Sequence, residues 1–111
     1  MKTKLEKHDC PIAKASKIVG DMWTLLIIRE LLGGKKRFNE IQQSIVSVAS
    51  KHCINSRTLT ERLKDLEKDK ILERTVIPNE MPPHVEYKLT KKGAALSKIV
   101  DDLKKFGQKY L

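Results

Sequence analysis

Twelve residues from Asn55 to Leu66, "NSRTLTERLKDL", set guanidinium, ammonium, hydroxyl and carboxylate groups among leucines at helical spacing. Leu59, Leu63 and Leu66 recur at i, i+4 and i+7, one face of an α-helix. At about 100° per residue, Arg57, Glu61, Lys64 and Lys68 fall opposite them and Thr60 lies on the flank. Such a face suits recognition: its groups can contact phosphates, hydrogen-bond guanine or adenine edges and touch thymine methyls. Arg57, near the N-terminal end, is the candidate for base readout, because recognition helices usually point that end into the major groove; Lys64 is the candidate for phosphate. An ordinary solvated helix can have the same composition, since Arg57–Glu61 and Glu61–Lys64 are ion-pair spacings worth a few tenths of a kcal/mol each. What surrounds the helix decides between these readings.

The first piece of context is charge. The 111 residues carry a net +9, with a pI near 9.7. An excess of that size costs self-repulsion and suits a strongly acidic partner such as nucleic acid or an anionic membrane surface. With only 5% aromatic residues, a stacking platform for single strands is disfavoured. The length fits one domain, residues 1–111. No apolar run approaches the roughly 20 residues a membrane span needs, and "MKTKLEKHDCP" has no apolar core of a signal peptide, so a cytoplasmic chain without membrane contact is expected. Two cysteines make no disulfide framework, and His8, His52 and His84 are scattered, so no metal or cofactor is expected. There is no phosphate-cradling glycine loop and no nucleophile with a placed base, so no catalytic residue is assigned and an enzyme is not expected.

The elements that must carry the face follow from patterning. "CPIAKASKIVG" predicts a short helix with Pro11 in its first turn, Ile12, Ala15 and Val19 on one side and Gly20 as its stop. Asp21 can cap "MWTLLIIRELL", apolar nearly all round and therefore a core helix, which Gly33 and Gly34 end. "FNEIQQSI" predicts a third helix with Phe38, Ile41 and Ile45 inward. The segment from Val46 to Ile54 reads as a loop or a helix extension. Asn55 can cap the helix of interest, run to about Asp69, although Thr58 with Glu61 offers a capping box one turn later. "ILERTVI" and "HVEYKL" read as strands around the loop "PNEMPP", a hairpin. Thr90 caps a last helix reaching the C-terminus, where Leu96, Ile99, Leu103, Phe106 and Tyr110 make a heptad seam for another helix. The fold class is mainly α with a small β-hairpin: a winged helix–turn–helix. In that frame Arg37 and Asn39, opening the third helix, are candidate phosphate contacts. Arg74 and Lys70 at the strand bases, with His84, are candidates to reach phosphate or the minor groove, while His84 can equally be an exposed histidine without a role.

Three blocks, "CPIAKASKIVGDMWTLLIIRELLGGKKRFNEI", "INSRTLTERLKDLEKDKILERTVIP" and "PPHVEYKLTKKG", together resemble the HxlR-type winged helix–turn–helix transcription regulators. The likeness runs from Cys10 to about Gly107. It implies a homodimeric regulator that binds double-stranded DNA sequence-specifically at an inverted repeat. Ser56, Arg57, Thr58, Thr60, Glu61 and Lys64 would form its reading surface. Its terminal helices would form the dimer interface, drawing on Ile12, Leu96, Ile99, Leu103, Phe106 and Tyr110. The domain then divides into an arm and dimerisation helix (1–20), the core helix and helix–turn–helix (21–70), the wing (71–90) and a C-terminal dimerisation helix (91–111). Against the family pattern, the stretch before Asn55 is long, Ser56 replaces a frequent proline, Lys70 a glycine and His84 a common arginine, and the wing loop is longer by about a residue.

Cys10 falls on a cysteine that senses oxidants or electrophiles in some members, which implies an oxidant or small-molecule effector. A thiol at a helix N-terminus among Lys7, His8 and Lys14 sits in a field that favours thiolate. Cys53, just before the reading helix, is the candidate partner for a disulfide within or between chains. A small residue without chemistry at Cys10 stays open. The alternative for the whole chain is a winged-helix module whose Arg57–Lys68 face meets an acidic protein and reads no DNA.

Overall fold

The computed structural model describes residues 10–45 and 53–111, arranged as six helices and a three-stranded antiparallel sheet. The reading of residues 46–52 as loop or helix lies outside the described residues. Helix α1 (Pro11–Val19) starts on its proline and rests on α2 (Met22–Leu32), whose first turn is capped by the Asp21 carboxylate accepting from the Thr24 N–H. The side of α1 that is seated is Ile18 with Val19, not Ile12, which stays 76% exposed. Gly34, at φ +125°, turns the chain after α2 through a region that L side chains rarely occupy.

Lys36–Arg37 then form a short strand, β1, before α3 (Phe38–Ser44). Two residues are too few to show a period, so this strand was not expected. It exists because the free edge of the wing is there to pair with, Lys36 against Tyr87 and Arg37 against Glu86. The expected hairpin is β2 (Leu72–Ile77) with β3 (His84–Leu89), and the order β1-β3-β2 makes a three-stranded sheet of it.

Helix α4 (Ser56–Lys68) starts at Asn55, whose side chain accepts from the Thr58 N–H, so the alternative start at Thr58 is not used. The chain enters it from Ile54, whose N–H donates to the Ile45 carbonyl. Both isoleucines are buried, and Gln42 donates to the Ile54 carbonyl and the Ser56 hydroxyl, fastening α3 to the head of α4. At its far end Lys70 adopts φ 64°. Its N–H donates to the Glu67 carbonyl and that of Ile71 to Leu66, the paired bonds of a Schellman stop, here without the usual glycine.

The core lies between these elements: Ile27, Ile28 and Leu31 of α2, Ile41 of α3, Leu59, Leu63 and Leu66 of α4, and Ile71, Leu72 and Tyr87 of the sheet. Each buried aliphatic side chain contributes about 1.5–3 kcal/mol. The last helix is two helices rather than one. Thr90 caps a single turn, α5 (Lys91–Ala94), through the Gly93 N–H, and after a turn at Ala95–Leu96 α6 (Ser97–Tyr110) runs to the end. At the turn the Leu96 N–H donates to the Gly93 carbonyl, and Gly93 itself lies so near the sheet that an added Cβ would be 2.1 Å from the Ile71 carbonyl oxygen. Among the described residues no helix is long and apolar enough to cross a membrane.

Candidate nucleic-acid interface

Because Leu59, Leu63 and Leu66 are sealed in the core, α4 turns its opposite side to solvent. Arg57, Thr60, Glu61 and Lys64 are all exposed, the Arg57 side chain to 90%. Arg57 Nε lies 3.7 Å from Glu61 Oε2, a loose pair that water or a ligand can replace. Ser56 is exposed but held by Gln42, and Thr58 is half-buried where the cap closes over it. The exposed face is thus Arg57, Thr60, Glu61 and Lys64, with Ser56 and Thr58 at its base.

The wing adds to it on one side. Thr60, Lys64 and Glu67 of α4 line a groove with Arg74 and Tyr87 of the sheet, so two cations proposed from separate elements meet at one cleft. Arg37 and Asn39 open α3 with exposed side chains, and the Arg37 N–H donates to the Glu40 carboxylate. His84 departs from its expected place at the wing surface. Its side chain is only 13% exposed and its ring nitrogens lie 2.8 Å from Glu80 and 3.3 Å from Glu86. Ringed by carboxylates, it presents no free donor to a phosphate.

A residue outside the expected set orients the head. Arg62 lies between the leucine arc and solvent, and its Nε donates to Asp21 Oδ2 at 2.8 Å while Nη2 reaches Oδ1 at 3.3 Å. That hydrogen bond is the main cause holding the Asp21 carboxyl below its ordinary value, against the opposing effect of burial. One carboxylate therefore caps α2 and anchors α4 across 41 positions of sequence. The usable signal was angular: Arg62 sits about 60° from Leu59, close enough to the core to need an acid.

Away from that face, Leu96 just before α6 and Val100 within it pack on the core, and α6 leaves Ile99, Leu103, Phe106 and Tyr110 between 40% and 63% exposed. The Phe106 and Tyr110 rings meet at a tilt of 43° with centroids 5.1 Å apart. Lys98–Asp102 and Lys105–Asp101 pairs occupy the helix's polar side. Cys10, half-buried, is the residue before α1, and Cys53 is exposed two residues before the α4 cap; both are free thiols.

Comparison with known proteins points one way. A family described as HxlR-like helix-turn-helix matches residues 18–111. The chain is 38% identical over 103 residues to the HTH-type transcriptional regulator YvaP of Bacillus subtilis, covering 92% of this chain and 89% of YvaP. It is 38% identical over 102 residues to the HTH-type transcriptional regulator YodB of the same organism, covering 91% and 85%. Among solved structures, a transcriptional regulator of the MarR family from Porphyromonas gingivalis W83 superposes with a TM-score of 0.82 at 33% identity, over 93% of this chain and 94% of that one. The redox regulator HypR in its oxidised form gives 0.78 at 34% identity, over 92% and 98%.

Proposed function

Because this chain belongs to the HxlR-like helix-turn-helix family and is an HTH-type transcriptional regulator, we propose that it binds double-stranded DNA sequence-specifically, as a homodimer on an inverted repeat. The observation that carries the reading is the exposure of Arg57, Thr60, Glu61 and Lys64 above a buried leucine face, with Arg74 across the adjoining groove. Arg57 reads a base edge in the major groove, and Lys64 and Arg74 meet phosphates on either side of that groove. Arg37 and Asn39 hold the neighbouring stretch of backbone. The wing contact passes to Arg74 and Arg37, since His84 is already engaged. The bare seam of α6, with Ile12 of α1, covers itself against a second copy, and the two heads then fall about one helical turn apart, ~34 Å.

The thiols add a switch to this reading. HypR and YodB are similar proteins, HypR a redox regulator with a structure in its oxidised form and YodB a regulator with structures in reduced and diamide-treated forms. Cys10 begins the helix proposed for the interface and Cys53 precedes the reading head, so oxidation at either end would change how the heads are spaced.

A titration of duplex from upstream of the protein's own gene, against random duplex, tests both parts, with reduced and diamide-treated protein as the two arms. The reduced protein binds its own duplex at least ~10³-fold more tightly, with a steep salt slope. Equal affinity for both duplexes, or a flat salt response, refutes DNA reading and leaves the acidic-protein module standing. Identical curves before and after diamide refute the thiol switch alone.

A further inference from the structure

Five charged side chains meet where β1, β3 and the loop of residues 78–83 converge. His84 Nδ1 lies 2.8 Å from Glu80 Oε2 and Nε2 lies 3.3 Å from Glu86 Oε2. Each carboxylate has a second cation: Arg37 Nη2 at 3.5 Å from Glu80 and Lys35 Nζ at 3.4 Å from Glu86. The residue opposite His84 on β2 is the apolar Ile77, and among the described residues the ion pairs of this cluster are those four. The imidazole is enclosed, whereas Arg37 and Glu80 both keep 51% exposure and Arg37 faces the solvent beside α3. Glu86 is drawn below its ordinary value, first by the hydrogen bond with His84 and, against some burial, by Lys35.

An imidazole can donate to two carboxylates only when both nitrogens carry a proton; the neutral ring turns one lone pair toward an anion. With the ring charged, three cations face two carboxylates and Arg37 is the loosest contact. With the ring neutral, in either tautomer, two cations face two carboxylates, and a repulsion on Arg37 has gone. Ring charge therefore sets how firmly Glu80 retains Arg37. We propose that His84 is a positioning residue for DNA binding, deciding through Glu80 whether the Arg37 guanidinium is kept by the protein or released to a backbone phosphate. This rests on the reading of Arg37 as part of a DNA interface. DNA then binds more tightly when the ring carries its second proton than when it does not, and bound DNA in turn favours the charged ring.

The test is fluorescence anisotropy on a random-sequence duplex of about 30 base pairs, at constant ionic strength from pH 8 to 5.5. It compares the wild-type protein with His84→Gln, Glu80→Gln and Arg37→Gln. Wild-type affinity rises about fivefold more over this range than that of any of the three variants. Glu80→Gln, an exposed loop change, keeps the test open if His84→Gln folds poorly. A wild-type pH profile in Glu80→Gln or Arg37→Gln overturns the inference while leaving DNA binding intact. Absence of salt-dependent binding at every pH overturns the DNA reading itself, and the inference with it.

Discussion

Along α4 the residues that leave the core are Arg57, Thr60, Glu61 and Lys64, whereas along α6 they include Ile99, Leu103, Phe106 and Tyr110. Both helices seat one side on the same core. The outward side of α4 is stable in water and gains from a polyanion, because its cations shed counterions when they meet phosphate. The outward side of α6 loses free energy for as long as it stays wet, at roughly 25 cal/mol per Å² of apolar surface. Exposure alone thus says little; the composition of the exposed side tells which partner would cover it.

The contrast can be broken from either helix. Leu103→Asp with Phe106→Asp has the largest expected effect: a single chain by sedimentation, and a loss of about 100-fold or more in affinity for an inverted-repeat duplex, since two linked heads bind by effective concentration. A variant that remains a dimer would show that the seam serves another purpose. Next comes the reading face. Arg57→Ala costs about 1–3 kcal/mol on the specific duplex and nearly nothing on random sequence, while Lys64→Ala weakens both alike and lowers the salt slope by about one. Parallel losses of specificity in the two variants would collapse the division between base and phosphate contact.

Two smaller effects ask whether α4 is set from behind. Lys70→Gly relieves a left-handed backbone and raises stability by about 1 kcal/mol in thermal melts, with DNA affinity unchanged. A lower melting temperature would mean that the lysine side chain itself is needed there. Asp21→Asn keeps a capping oxygen and loses the ion pair to Arg62, so it costs a fraction of a kcal/mol at neutral pH. The carboxyl is held low in the folded chain, so its stabilisation is complete above the ordinary carboxylate value near pH 4 and disappears as the pH falls below it. Melts of the two proteins should converge in acid; a constant gap would assign the cost to something other than charge.

Much of this was legible in residue order, for local reasons. The leucine period placed α4, Asn55 and Asp21 capped the helices they precede, and alternation at Val85, Tyr87 and Leu89 placed β3. The exposed apolar side of α6 was legible too, as a heptad spacing whose Ile99, Leu103, Phe106 and Tyr110 stay exposed among the described residues. The breaks were not. Lys36–Arg37 become strand only because β3 offers an edge, and the terminal helix divides at Ala95–Leu96, where the Leu96 N–H turns to the Gly93 carbonyl.

The order of residues by itself determined which groups could face a polyanion and which could not, because helical and strand periods are properties of neighbours along the chain. Tertiary structure alone decided which of those groups are free. Arg57 and Lys64 are left open, whereas Arg62 is claimed by Asp21 and His84 by Glu80 and Glu86. Arg62 and Asp21 stand 41 positions apart and meet only after the core has brought their backbones together, while the His84 pairs, near in sequence, depend on how the loop of residues 78–83 folds back beside β3.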